Sequence, residues 1–184
     1  MPGHLSGGRA AYRAALVHQP APMPNPRPKT APPADASVDP MTLARSRADA
    51  LYRAAIECCR QHDRAAKVHR ASSEPDLEHK HADALCAMVD GSLAEISKAY
   101  EASARDLHPD GDEAWWHKAN SLWHASREYA RRHAGGDAVA RQLSGKHSPD
   151  ELRGMQMEYE LEASALLALR HAAEAYRKTR PDLA

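Results

Sequence analysis

The segment from residue 40 to residue 71, PMTLARSRADALYRAAIECCRQHDRAAKVHRA, decides the fold class of this chain. Its apolar residues recur every three or four positions, which is the period of one face of an α-helix. Asp39 precedes the segment and is a residue type that caps helix N-termini. The segment therefore predicts a long helix whose inner face turns from aliphatic to imidazole near its C-terminal end. That face consists of Met41, Ala44, Ala48, Leu51, Tyr52, Ala55, Cys59, His62, Ala66 and His69.

Three further segments carry the same helical period and are separated by Pro, Gly and Ser. The second is expected to begin after Ser73 and to end before His108, with an inner face that includes Leu77, His81, Met88, Val89, Leu93 and Tyr100. The third is expected to run from about Asp112 and to stop at the stretch 133–136, with a small extra turn over 137–143. The fourth opens with the capping box Ser148-Pro149-Asp150-Glu151 and continues to residue 180.

These four helices predict an all-α chain, because Ala, Leu, Glu, Arg and Lys dominate the region and β-branched residues are scarce. Short connections between long helices favour antiparallel neighbours, so an up-down-up-down four-helix bundle over residues 41–184 is expected. A long helical hairpin that dimerises is the alternative.

Residues 1–40 differ from the rest in composition, because they hold nine of the thirteen prolines of the chain. Closely spaced prolines disfavour a helix and favour an extended segment. This region is predicted to be a disordered, proline-rich tether, with a possible short basic amphipathic helix over residues 8–18. It carries four basic residues against two acidic ones. It could be a docking segment or a targeting signal.

The overall charge excludes few partners but disfavours one class. Lys and Arg number 25 against 25 Asp and Glu, whereas a nucleic-acid-binding domain is usually strongly basic.

Three cysteines are not the framework of a disulfide-stapled secreted protein, so a cytoplasmic protein is expected. No apolar run is long enough to cross a membrane. The chain has neither a phosphate-binding glycine loop nor a Ser/His/Asp nucleophile motif.

Polar residues within the predicted inner faces form a candidate site. If the first two helices pair about the junction at 72–73, His62 comes within about a turn of His81, and Cys59 faces Cys86. Glu78 lies one turn from His81, and Glu158 reaches a similar depth on the fourth helix. The sequence thus predicts a layer of His62, Glu78, His81 and Glu158, with Cys58, Cys59, His69 and Glu162 a turn away.

Two interpretations of this layer follow from its chemistry. Imidazole and carboxylate are ligands of Zn, Fe or Cu, and helical bundles often build metal sites in their cores. The turn Glu78-x-x-His81 resembles the Glu-x-x-His element of ferritin-like di-iron bundles, but no second such element is present, so a single-ion site is expected. The alternative is an internal network of ion pairs and hydrogen bonds without a metal.

Three functions remain open from the sequence. The first is a non-enzymatic interaction or adaptor protein, a cytoplasmic bundle that self-associates or docks on a larger assembly through its tether. The second is a metal-binding bundle for storage, sensing or redox chemistry, with the four layer residues as ligands. The third is an exported or compartment-targeted protein with its address in the N-terminal segment.

Overall fold

The computed structural model of the chain describes residues 38–71, 77–108, 113–142 and 148–183. Within these ranges the chain forms four α-helices and a final 3-10 turn at Pro181–Leu183, and it contains no strand. The all-α four-helix fold predicted from the sequence is confirmed. Residues 1–37, which hold most of the predicted tether, lie outside the described residues. The helices are α1 (Pro40–Ala71), α2 (Leu77–Ala104), α3 (Ala114–Gln142) and α4 (Pro149–Arg177).

The N-termini of α1 and α4 carry the caps that the sequence predicts. The Asp39 carboxylate accepts a hydrogen bond of 2.9 Å from the backbone N–H of Thr42. At α4 the Ser148 hydroxyl accepts from the backbone N–H of Glu151, whose carboxylate accepts in turn from the Ser148 N–H. These bonds satisfy N–H groups that have no partner within the helix.

The third helix is longer than predicted, because α3 continues through Gly135 and Gly136 to Gln142. The prediction that this helix ends at 133–136 and is followed by a separate turn is wrong. A Cβ on Gly136 would lie 3.0 Å from a carboxylate oxygen of Glu162 on α4. The glycines therefore give α4 side chains room beside α3, and packing against α4 outweighs the low helix propensity of glycine.

Each helix packs against its neighbours in sequence, most extensively α1 on α2 and α3 on α4. In the contacts of α1 with α2 and with α4, residue numbers rise along one helix as they fall along the other, so these neighbours are antiparallel. These contacts support the up-down-up-down order, which stays a prediction for the bundle as a whole. The pairs are His62 with Asp90 and His69 with Asp83 between α1 and α2, and Asp49 with Tyr176 and Asp63 with Arg170 between α1 and α4.

Small residues alternate with large ones in the core. Five alanines are completely buried, which lets the helix axes approach closely. Three tyrosines that are at most 1% exposed fill the wider layers, and each hydroxyl contacts a polar group on another helix, as a buried tyrosine requires. The alanines are Ala44, Ala48, Ala55, Ala119 and Ala173; the tyrosines are Tyr100, Tyr129 and Tyr176.

Val89, Leu93 and Tyr100 of α2 are buried as predicted, but the N-terminal half of the helix does not bury the predicted face. Leu77 and Met88, expected inside, are 81% and 61% exposed, and His81 is also exposed. The helix is rotated so that a more polar stripe faces the core. That stripe is His79, Cys86, Val89, Leu93, Ser97 and Tyr100.

Over its described residues, none of the helices contains a stretch that is long and apolar enough to span a bilayer.

Candidate metal centre

Two residues of α1 and one of α2 bring potential metal ligands together near the middle of the bundle. Cys58 and His62 are four positions apart, so they lie on the same side of α1, one turn from each other. Asp90 of α2 faces both. The Cys58 thiol donates to Asp90 Oδ1 at 3.3 Å, and His62 Nε2 lies 3.1 Å from each Asp90 oxygen. The Asp90 side chain is only 11% exposed.

Tyr129 of α3 closes the third side of this group. Its hydroxyl lies 2.8 Å from His62 Nε2 and donates to Asp90 Oδ1 at 3.0 Å. The same hydroxyl also contacts the Cys58 thiol. Sulfur, nitrogen, carboxylate and phenol atoms therefore surround one point, contributed by three helices.

His133 extends the group toward α4. Its Nε2 lies 3.4 Å from Asp90 Oδ2, and its Nδ1 lies 2.8 Å from Glu162 Oε1. The imidazole thus bridges the central carboxylate and a carboxylate on the fourth helix. An outer contact of this kind orients a ligand side chain.

The electrostatics of the group follow from burial and from the central carboxylate. Burial, together with the negative charge of Asp90, holds the pKa of the Cys58 thiol well above its ordinary value. Burial acts in the same direction on the pKa of the Tyr129 hydroxyl. Burial also opposes ionisation of Asp90, but hydrogen bonding to His62 and the nearby His62 and His133 rings hold the pKa of Asp90 below its ordinary value. An ionised carboxylate therefore stands beside a thiol and a phenol that keep their protons.

This arrangement can serve a cation or a proton network. One atom each from Cys58, His62 and Asp90 lies within 4.8 Å of the others, and this is the group of three potential ligands found among the described residues. Thiolate, imidazole and carboxylate in one compact set are typical of a tetrahedral Zn²⁺ site, with the fourth position left for another oxygen. Without a cation, the thiol, the imidazole and the phenol can all direct their hydrogens at Asp90.

The structure separates the four residues that the sequence analysis assigned to a metal. His62 lies in the central group, whereas Glu78 and His81 are exposed and line a groove between α1 and α2. Glu158 is half-buried, with a carboxylate oxygen near Gly135 of α3. A site built from all four residues stays a prediction. His62 contacts Asp90 rather than His81, because the α1–α2 register differs from the one inferred from the sequence.

Sequence reasoning missed Asp90 and the contribution of Tyr129 to the site. Asp90 lies at the edge of the inner face of α2, and Tyr129 belongs to the third helix, from which no site residue was predicted. A signal was nevertheless present: Asp90 is the single charged residue in the stretch Ala84–Leu93. A lone carboxylate inside an apolar run requires a partner.

Comparison with known proteins adds no family to this description. The chain matches no protein-family model, no curated protein and no solved structure.

Proposed function

We propose that this protein is a metal-binding helical bundle that holds one transition-metal ion between Cys58, His62 and Asp90. The observation that carries the proposal is the convergence of these three ligand atoms within 4.8 Å of one another. Their side chains come from two helices and are largely shielded from solvent. A buried carboxylate is costly unless a positive partner balances it, and a cation would provide that balance.

Zn²⁺ is the ion that the donor set favours. A thiolate disfavours Mg²⁺ and Ca²⁺, which prefer oxygen, and a mixed set of sulfur, nitrogen and oxygen suits tetrahedral zinc. Fe and Cu are the competing ions, because imidazole and thiolate also bind them. Tyr129 is placed to occupy or to shield the fourth position.

The direct test is the metal content of the untagged, full-length protein purified without chelator, measured by elemental analysis. We expect about one Zn²⁺ per chain after equilibration with zinc salts, and loss of that metal in Cys58→Ser and in Asp90→Asn. His81→Ala is the matched control, because His81 is exposed and belongs only to the set inferred from the sequence. Loss of metal in His81→Ala with retention in Asp90→Asn would instead favour that set.

A second measurement separates metal binding from misfolding of the variants. Zinc that binds the folded chain raises the free energy of unfolding by about 2.7 kcal/mol when free metal exceeds its dissociation constant a hundredfold. We expect this increase in the parent and not in Asp90→Asn. Both Cys58→Ser and Asp90→Asn should keep the helical circular dichroism of the parent. An unchanged melting temperature of the parent with Zn, Fe and Cu salts would overturn the proposal.

A role as an interaction protein is a second candidate, favoured by large apolar side chains that the described helices leave exposed. This role does not compete with metal binding, because those side chains face solvent whereas the Asp90 side chain is only 11% exposed. Both roles fit the cytoplasmic location expected from the cysteines, since Cys58, Cys59 and Cys86 are all free thiols.

A further inference from the structure

A small cavity lies between α2 and α3, apart from the candidate metal centre. The Tyr100 hydroxyl donates to Asn120 near one end of the cavity, and the Tyr129 hydroxyl donates to Asp90 near the other end. The two helices are therefore linked on both sides of the cavity, which keeps it open at a fixed width. Its volume is about 300 Å³, and its lining residues are Ala94, Ser97, Lys98, Glu101, Ser126, Arg127 and Ala130.

Ser97 lines this cavity with a hydroxyl that has no hydrogen-bond partner among the described residues. The residue is only 5% exposed. Serine within a helix commonly donates to the carbonyl one turn earlier, as Ser126 does to Leu122 at 2.8 Å, but Ser97 makes no such bond. A buried hydroxyl without a partner is unfavourable, because it has given up its hydrogen bonds to water. The Ser97 hydroxyl therefore requires a group inside the cavity, either water or a ligand.

Two lining side chains carry opposite charges without pairing with each other. Glu101 of α2 is half-buried and Arg127 of α3 is exposed, and neither forms an ion pair within the part of the chain that the structure describes. Arg127 instead lies over the ring of Trp123, with Cζ 5.1 Å from the ring centroid, and this cation–π contact holds the guanidinium in place. The third charged lining residue, Lys98, is already paired with Glu95 at 2.7 Å.

These groups together fit a small molecule that carries both charges. A ligand carboxylate can accept from the Ser97 hydroxyl and from the Arg127 guanidinium, whose fork of N–H groups matches a carboxylate. A ligand ammonium group can be balanced by Glu101. A simple anion would be repelled by Glu101, and a simple cation would be repelled by Arg127, so a zwitterion fits the set better than either.

We infer that the α2–α3 cavity binds a free α-amino acid with a short side chain, with its carboxylate held by Ser97 and Arg127 and its ammonium group by Glu101. A volume of about 300 Å³ is at the small end of ligand pockets. Ala94 and Ala130 supply apolar surface for the side chain of the ligand. None of the lining residues is a ligand of the candidate metal centre, so the inference does not depend on the proposed function.

An NMR titration of the full-length protein with L-alanine is the first test, with propionate and ethylamine as probes that each lack one of the two charges. We expect a dissociation constant of about 0.1–10 mM for L-alanine and at least about tenfold weaker binding of each single-charge probe. The amide signals that shift should be those of α2 around Ser97 and of α3 around Arg127. No shift with L-alanine at about 50 mM would overturn the inference and leave the Ser97 hydroxyl to water. Equal binding of propionate or ethylamine would contradict the zwitterion.

Substitutions of the charged residues then locate the site. Arg127→Gln and Glu101→Gln should each weaken L-alanine binding at least about tenfold, because each removes one of the two charges that balance the ligand. Arg131→Gln is the matched control, because it makes the same change of charge one turn further along α3, outside the cavity lining. Equal weakening by Arg131→Gln, or unchanged binding in the two cavity variants, would contradict the site.

Ser97→Ala separates ligand binding from a structural role of the hydroxyl. The substitution removes a buried group that has no partner in the described residues, so the melting temperature without ligand should stay the same or rise. Binding of L-alanine should weaken several-fold in the same variant. A lower melting temperature would show that the hydroxyl serves the fold, and binding equal to that of the parent would show that it does not contact the ligand; either result would overturn the role given to Ser97.

Discussion

At the scale of single residues, a buried polar cluster away from the metal centre joins α1 to the C-terminal end of α4. Arg180 donates from one nitrogen to both oxygens of Asp49, at 2.6 and 2.7 Å, and its side chain is only 10% exposed. The Tyr176 hydroxyl donates to the same carboxylate at 2.6 Å. Asp49 therefore links the third turn of α1 to the end of α4.

Removing Asp49 should destabilise the fold, because Arg180 would keep only Asp182 as a partner and the buried Tyr176 hydroxyl would lose its acceptor. We expect Asp49→Ala to lower the free energy of unfolding by about 2 kcal/mol, measured by urea denaturation. The matched control is Asp63→Ala, which breaks the more exposed pair with Arg170 and should cost less than about 1 kcal/mol. Equal losses in the two variants would show that burial of the Asp49 pair has no energetic weight.

At the scale of helices, glycine has two different roles in this chain. Gly91 lies within α2, is exposed, and has no atom within 4 Å of the place a Cβ would take. Gly136 lies within α3, where a Cβ would come within 3.0 Å of Glu162. Alanine therefore fits at position 91 without a close contact, whereas at position 136 its Cβ would crowd Glu162.

Substitution by alanine should separate these roles. Gly91→Ala should raise the free energy of unfolding by about 0.5–1 kcal/mol, because alanine loses less backbone entropy in a helix. Gly136→Ala should gain less or lose stability, since Glu162 would have to move while His133 holds it at 2.8 Å. Thermal denaturation of the two variants side by side is the measurement. A larger gain at Gly136 than at Gly91 would contradict this explanation of the long α3.

At the scale of the whole molecule, buried weak acids give stability a common dependence on pH. Burial raises the pKa of Cys86 to about 11, and it raises the pKa of Tyr100 and of Tyr176 above the ordinary value. Each of these groups holds its proton more tightly in the folded chain than in the unfolded one. Their stabilising contribution is full below the unfolded pKa and is lost as pH rises through the folded pKa.

The free energy of unfolding should therefore fall as the pH rises from about 8.5, the ordinary pKa of cysteine, toward about 11. We expect Cys86→Ala to lose less stability than the parent over this range, because one of the titrating groups is absent. Urea denaturation at a series of pH values measures the free energy of unfolding of both proteins. The difference between the two free energies at neutral pH serves as the baseline. Curves that stay parallel up to the highest pH would contradict the role of Cys86.

The sequence by itself determined the helical fold class, most helix boundaries and the capped starts of α1 and α4. These features depend on contacts within a few residues, so the 3.6-residue period and the identity of the capping residues are enough to predict them. The early end assigned to the third helix failed because glycine propensity is a local quantity, whereas Gly135 and Gly136 are used for packing against α4.

Only the tertiary structure decided which side chains meet at the candidate site. His62 was identified from the sequence, but its partner depends on the rotation of α2 and on its register against α1. A shift of a single position along a helix turns a side chain by about 100°, which changes its neighbours completely. The tertiary packing places Asp90 and Tyr129 beside His62 and turns His81 and Leu77 outward, because burying Cys86, Leu93 and Tyr100 on the opposite side of α2 sets its rotation.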